Sequence, residues 1–203
     1  MGLWPIWDGY TRAKVEAERV LWGLAKDRGL PLTVIRPSWL YGERDRTTTA
    51  RLVSRMRRGG IPTIGSGDNP FSAVYAGVVA EAALLAADDP GSAGEAYNIT
   101  DQGPITQREF LDILAEVCGV AGSRQHLNYD LTFAAALGLE AVGRLSRSRR
   151  PPVITRYATW LMGRRLSYST AKARERLGWR PSVDYHTGLE RTVRWFDAAS
   201  TAL

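Results

Sequence analysis

Residues 9–36 constrain the fold more than any other stretch of the chain. A helical pattern runs from Gly9 to Arg28. Asp8 is placed to cap it, since a short carboxylate accepts from the free amides of a first turn. Gly29 is placed to close it, because glycine takes the left-handed conformation at a helix end without steric cost. Leu32-Thr33-Val34-Ile35-Arg36 comes next. This short β-branched run suits a parallel strand covered on both faces. Pro37 has no N–H to donate and ends the ladder there. A helix feeding a buried parallel strand places the chain in the α/β class.

The same alternation continues. Thr47 to Arg58 reads as a helix stopped by Gly59-Gly60, and Ile61 to Ile64 and Phe71 to Tyr75 read as short strands around a turn. Val78 to Ala87 is a strongly apolar helix and Ala96 to Ile99 a strand. Gln107 to Val117 reads as a helix opened by a Thr106-x-x-Glu109 capping box. Leu131 to Leu145 and Val153 to Met162 are two more helices, separated by an Arg/Ser/Pro linker with Arg144, Arg147, Arg149 and Arg150 ahead of Pro151-Pro152. A last helix spans Thr187 to Ala198.

Composition narrows the function classes. The 203 residues are 44% hydrophobic, enough for a sizeable core. No apolar run is long enough to span a bilayer, so no integral membrane segment is expected. Residues 1–7 lack the basic start and long apolar centre of a secretory signal, and a cytoplasmic location is expected. A single cysteine, Cys118, excludes an intrachain disulfide and reads as a buried thiol rather than a nucleophile. His126 and His186 are too far apart in sequence to suggest a metal site, and no metal is expected. The net charge of +6 invites a nucleic-acid reading. The arginines, however, alternate with acids along helices, as in Arg174-Glu175-Arg176, which is the pattern of solvated faces. No nucleic-acid partner is expected.

Tyr10 and Lys14 are the candidate catalytic pair. Residues four apart share one helix face, so a phenol and an ammonium can converge there. An ammonium beside a phenol favours the phenolate, which suits a proton-transferring tyrosine. Of 27 basic residues only Lys14, Lys26 and Lys172 are lysines. Keeping the compact charge of a lysine at this spacing is therefore informative. A plain surface contact between the two remains open at this point.

An ordered set of motifs follows the pair. Tyr10-x-x-x-Lys14 leads to Ala17-Glu18, then to Leu32–Arg36, Pro37 and Tyr41-Gly42. Ile64-Gly65-Ser66-Gly67-Asp68-Asn69 precedes Phe71-Ser72-Ala73-Val74-Tyr75 and the helical Val78-Val79-Ala80-Glu81-Ala82. Ala96-Tyr97-Asn98-Ile99-Thr100, Ser169-Thr170-Ala171-Lys172-Ala173 and Leu177-Gly178-Trp179-Arg180-Pro181 complete the series. Together, over about residues 8 to 197, they resemble the extended short-chain dehydrogenase/reductases, the NAD(P)-dependent epimerase/dehydratase family. The branch with 3β-hydroxysteroid dehydrogenases and dihydroflavonol reductases is the most similar.

The resemblance implies the C-terminal part of a Rossmann-like doubly wound parallel sheet plus a small, mostly helical substrate domain. Residues 1–100 would belong to the dinucleotide-binding domain and residues 101–203 mainly to the substrate side. Tyr10 would be the general acid/base, and Lys14 would hold the nicotinamide ribose of NAD or NADP. Pro37, Ser38, Trp39 and Leu40 would line the nicotinamide, because ligands sit off the carboxyl ends of such strands. The glycine-rich turn that holds a pyrophosphate does not open this chain, and Gly65-Ser66-Gly67 leads to a strand rather than a helix. The N-terminal half of the fold is therefore read as absent, and the chain alone as inactive. Asp68-Asn69 and Tyr97-Asn98 read as structural.

The expected partner is a small, fairly apolar substrate carrying a secondary alcohol or ketone, with a homodimer left open. Where sugar-nucleotide members of the family carry an Asn and a basic residue, this chain has Ser38-Trp39-Leu40 and Asn69-Pro70-Phe71-Ser72. A diphosphate needs cationic partners, so these departures weaken that class. Two alternatives stay open: a sugar-nucleotide epimerase/dehydratase, and a non-catalytic binding or regulatory module. For the two apolar helices after residue 130, ordinary packing is the expectation over substrate or membrane-surface contact.

Overall fold

Asp8 starts the first helix, α1 (Gly9–Arg28), with its carboxylate accepting from the Thr11 amide at 2.7 Å. Gly29, at φ 64°, ends it in the left-handed conformation. The computed structural model describes residues 8–100, 105–146, 152 and 154–201. Strand β1 (Val34–Pro37) follows, then β2 (Trp39–Tyr41), α2 (Thr48–Arg57), β3 (Thr63–Ile64), β4 (Pro70–Phe71) and β5 (Ala73–Tyr75). The chain continues through α3 (Ala76–Asp88), a 3-10 turn (Pro90–Ser92), β6 (Ala96–Ile99), β7 (Ile105–Thr106), α4 (Gln107–Val117) and β8 (His126–Leu127). Four helices complete it: α5 (Tyr129–Leu145), α6 (Arg156–Gly163), α7 (Ala171–Arg176) and α8 (Tyr185–Thr201).

β1 and β6 pair in parallel, with Val34 opposite Ala96 and Pro37 opposite Ile99. The chain changes partner directly after the proline. The Ser38 amide still donates to the Ile99 carbonyl at 3.0 Å, but the Trp39 amide donates to the Ser72 carbonyl at 3.3 Å. From there β2 runs parallel to β5. β3 pairs in parallel with β8, and β4 pairs antiparallel with β7. Among the described residues the strands thus form four two-stranded ladders. The α/β class holds, with short parallel strands between helices.

The core gathers behind β2 and β5. Phe110 of α4 lies edge-on to Trp39, Tyr41 and Phe71, with ring centroids 5.8, 5.7 and 5.2 Å away. Such pairs each add about 0.5–1.5 kcal/mol beyond simple area burial. Leu111 and Leu114 of α4 are buried in the same core as Leu189 and Val193 of α8. Trp179 is fully buried and donates its indole N–H to the Val78 carbonyl of α3 at 3.1 Å. The expected capping box is present at α4: Thr106 Oγ1 accepts from the Glu109 amide at 3.1 Å, and Glu109 accepts from the Thr106 amide at 2.9 Å.

Several expected boundaries move for identifiable reasons. The strand expected over Leu32–Arg36 is observed over Val34–Pro37, because Leu32 instead closes a turn onto the Leu30 carbonyl. The run Phe71–Tyr75 divides at Ser72 into β4 and β5, since each half follows a different partner. β2, β7, β8 and α7 are too short for periodicity to reveal. The last helix begins at Tyr185, two residues early, where Asp184 accepts from the Thr187 amide at 2.7 Å. Gly65 and Gly67 form a turn at positive φ, as expected. In the Arg/Ser/Pro linker, Arg147, Arg149, Arg150 and Pro151 lie outside the described residues, as does Val153.

Candidate active site

The site is built on the first two turns of α1. Tyr10 and Lys14 share a face, with the Lys14 ammonium 5.6 Å from the centroid of the Tyr10 ring. Tyr10 is 62% exposed, so its phenol is open to a ligand. Among the described residues Lys14 has no carboxylate partner, unlike Lys172, which pairs with Glu95. The three ammonium donors of Lys14 are therefore free to meet hydroxyl groups.

Tyr157 of α6 supplies a wall. Its ring lies edge-on to Tyr10 with centroids 6.3 Å apart, and Trp160 stacks beside it at 6.3 Å. Burial pushes the Tyr157 phenol up, with smaller contributions from Tyr10 and Asp8. Tyr157 stays a neutral phenol through ordinary working pH. Thr155 starts this short helix by accepting from the Ala158 amide at 3.1 Å. Gly163 ends it where a Cβ would meet the Tyr129 ring at 2.4 Å, so a larger residue would push α6 off α5. Sequence reasoning missed Tyr157 and Trp160. Their three-residue spacing on one short helix was the available signal.

The second part of the site is the crossover from β1 to β2. Arg36, the residue before Pro37, reaches back to α1 and binds both carboxylate oxygens of Glu18. Glu18 lies one turn beyond Lys14 and also accepts from the Trp22 indole at 3.1 Å. The Arg36 guanidinium holds the Glu18 carboxyl below its ordinary range. This contact ties the Tyr10/Lys14 helix to the strand end, and it too was missed.

The four crossover residues have different surroundings. Pro37 is exposed at the carboxyl end of β1. The Ser38 hydroxyl donates to Thr100 Oγ1 at 3.0 Å, joining the ends of the parallel strands β1 and β6. Leu40 is 43% exposed. The Trp39 ring turns to the other side, into the aromatic core against Tyr41, Phe71 and Phe110. Strand alternation accounts for the split: neighbours along β2 point to opposite faces.

Other motif residues have structural tasks. Asn69 donates to the carbonyls of Met162 at 2.7 Å and Arg164 at 3.1 Å, fixing the end of α6. Tyr97 is buried with its hydroxyl 3.2 Å from Ser92 Oγ. Tyr75 donates to both Glu43 oxygens, at 2.7 and 2.8 Å, beside the Tyr41-Gly42 turn. Cys118 is half-buried and burial pushes its thiol up, which disfavours the reactive thiolate.

Residues 6–129 match the 3-beta hydroxysteroid dehydrogenase/isomerase family. The chain is 31% identical to a 4-hydroxy-2-methyl-3-oxo-4-farnesyl-3,4-dihydroquinoline-1-oxide ketoreductase of Stigmatella aurantiaca, over 90% of this chain and 54% of that protein. It is 30% identical to 3beta-hydroxysteroid-dehydrogenase/decarboxylase isoform 1 of Arabidopsis thaliana, over 93% of this chain and 46% of that one. The chain thus spans about half the length of these relatives. A UDP-glucuronic acid 4-epimerase from Bacillus cereus, solved in complex with NAD, shares the fold with a TM-score of 0.69 at 17% identity. That match covers 98% of this chain and 55% of the solved one. On the family match over residues 6–129, the chain belongs to the 3-beta hydroxysteroid dehydrogenase/isomerase family.

Proposed function

We propose that this chain carries the proton-transfer site and the substrate side of an NAD(P)-dependent oxidoreductase. Its substrate is a small, fairly apolar molecule with a secondary alcohol or ketone. The observation that carries this reading is the Lys14 ammonium set 5.6 Å from the ring of an exposed Tyr10 on one helix face. When bound, the nicotinamide supplies or accepts the hydride. Tyr10 gives its phenolic proton to the substrate oxygen in reduction and takes it back in oxidation. Lys14 donates to ribose hydroxyls and, by its charge, steadies the phenolate left on Tyr10.

The residues present suit that cofactor. Lys14 has free donors, and Pro37 and Ser38 sit at the carboxyl end of β1, where dinucleotides bind in open parallel sheets, with Leu40 just beyond on β2. In this reading β1 and β6 are neighbours in a doubly wound Rossmann-like sheet. Residues 1–100 then carry the cofactor side and residues 101–203 most of the substrate side. Tyr157 and Trp160 offer the substrate an aromatic, uncharged wall, which suits an apolar ketone better than a sugar diphosphate. The names of the two relatives, a ketoreductase and a hydroxysteroid dehydrogenase, support the same class.

The test is titration calorimetry of NAD(H) and NADP(H) into the chain, with Lys14→Ala and Tyr10→Phe alongside. Cofactor binding that Lys14→Ala weakens at least about tenfold, the loss of two charge-assisted hydrogen bonds, is the expected result. Tyr10→Phe should bind within a few-fold of the parent. Binding that is indifferent to Lys14 would sink the assignment. No binding by the parent would fit an incomplete half of the enzyme as well as the non-catalytic reading.

A further inference from the structure

We propose that the cleft between Tyr168 and Arg180 binds a small molecule through a phosphate group. This inference does not depend on the oxidoreductase reading. The cleft has a volume of about 650 Å³, and Tyr168, Ser169, Thr170, Arg174, Glu175 and Arg180 line it. That volume lies in the range of small-molecule sites, on the order of 300–1,000 Å³. Neither Tyr10 nor Lys14 belongs to its lining. The alternation Arg174-Glu175-Arg176 reads as a solvated helix face, but the structure treats the two arginines differently. Arg176 turns to Glu95 at 3.5 Å, beside Lys172, which meets the same carboxylate at 2.5 Å. Arg174 finds no such partner. Its Nε is sealed from solvent and has no hydrogen-bond acceptor among the described residues. Stranding a guanidinium nitrogen away from water is costly unless an acceptor meets it.

Charge and donor geometry select the ligand. Arg174 and Arg180 share one cleft, where their charges repel unless an anion lies between them. Glu175 is the one acid of the lining, so two positive charges face one negative. Arg180 Nη1 donates to the Trp179 carbonyl at a long 3.4 Å, which leaves most of its fork to a ligand. The Ser169 hydroxyl accepts from the Ala171 amide at 3.3 Å and keeps its own proton to donate. The Thr170 hydroxyl caps no amide of α7. Two guanidinium forks and two hydroxyls match the three oxygens of a phosphate monoester, whereas a carboxylate would leave donors unmet. Tyr168 is 43% exposed and offers its ring to the rest of the molecule. Burial pushes its phenol up, so it stays neutral and does not oppose an anion.

The experiment is titration calorimetry of phenyl phosphate, inorganic phosphate and benzoate into the 203-residue chain. Phenyl phosphate should bind more tightly than inorganic phosphate, benzoate should bind most weakly, and binding should weaken as salt rises. Arg174→Met and Arg180→Gln should each lower the affinity for phenyl phosphate about tenfold, the loss of one charge-assisted pair. Arg174→Met keeps the apolar stem and removes the stranded charge, so its Tm should hold or rise, which separates a ligand-binding arginine from a structural one. Arg180 is exposed, so Arg180→Gln tests binding without bearing on the fold. Tyr168→Ala should weaken phenyl phosphate and leave inorganic phosphate unchanged. Arg194→Gln, on α8 where Arg194 pairs with Glu190, should bind phenyl phosphate like the parent. Lys14→Ala should do the same, which sets this cleft apart from the candidate cofactor site. Four results overturn the proposal. The first is no binding of phenyl phosphate by the parent. The second is Arg174 and Arg180 variants that bind like the parent. The third is a loss caused by Arg194→Gln or Lys14→Ala. The fourth is benzoate bound as tightly as phenyl phosphate, which would give the cleft to carboxylates.

Discussion

Arg36, at the end of β1, forms a two-pronged ion pair with Glu18 of α1, one turn past Lys14. It couples the helix that carries the proposed proton-transfer pair to the strand end where the nicotinamide is proposed to sit. The Arg36 side chain is 49% exposed and that of Glu18 26%, so solvent screening limits the pair to about 0.2–1 kcal/mol. Its pH behaviour is fixed in sign. The Glu18 carboxyl is held below its ordinary range, first of all by the Arg36 hydrogen bond. Its contribution is therefore complete above the ordinary glutamate range and fades as pH falls through the lowered value. A double-mutant cycle of Glu18→Gln and Arg36→Gln in urea should give a coupling of that size near neutral pH and none in strong acid. A coupling that survived acid would rule out the ion pair as its source.

The ends of α1 and α4 were legible in the sequence because caps are local. Asp8, Gly29, Thr106 and Glu109 act on amides and carbonyls a few residues away. The Tyr10/Lys14 approach was legible for the same reason, being one helical turn. The ladders were not. Pro37 marks the end of β1, but nothing near Trp39 says that the chain will leave Ile99 for Ser72, thirty-odd residues away. Trp39 itself was placed beside Leu40 as a cofactor-lining residue. The pleat sends its ring into the aromatic core, a matter of register that composition does not encode. Tyr157 meets Tyr10 across almost the whole sequence, and no local pattern reports such a contact.

Asp45 braces the start of α2 from two residues ahead of its N-cap, Thr47. It accepts from the amides of Thr47 and Thr49, at 3.0 and 2.8 Å, and from both hydroxyls, at 2.6 and 2.7 Å. Burial alone would raise its carboxyl, but these donors outweigh it and hold the group far below the usual carboxylate range. Asp45→Ala should cost about 1–2 kcal/mol, by analogy with a side chain that caps free first-turn amides. The depressed value means that the stabilisation is present above the unfolded aspartate range and fades only in strong acid. Thermal unfolding at neutral pH and near pH ~3 should show the parent still holding much of the cap's contribution at the lower value. Equal Tm for parent and variant at neutral pH would refute the cap.

Trp179 should be the most sensitive core position. It is fully buried, and its indole donates to the Val78 carbonyl of α3 at 3.1 Å. Trp179→Phe removes the indole donor, leaving that carbonyl only its helical partner, and opens a void beside it, for a loss of about 1–3 kcal/mol. Trp179→Ala should cost about 3–5 kcal/mol. Chemical denaturation of the two variants orders them. A phenylalanine variant as stable as the parent would show that the hydrogen bond contributes nothing net.

Helix α1 has no buried residue. Thr11, Val15, Glu18, Trp22 and Ala25 are half-buried and form its inward stripe. On the opposite side Ala13, Ala17, Val20 and Leu24 recur at helical spacing in the open, with Val20 54% and Leu24 39% exposed. An uncovered apolar stripe promotes association. The chain should therefore self-associate in solution through α1. Val20→Glu and Leu24→Lys should each weaken that association about tenfold, on the order of 1.4 kcal/mol, without lowering helix content. Sedimentation velocity across a concentration series measures this directly. A parent chain that stays monomeric throughout the series would show that this face needs no cover.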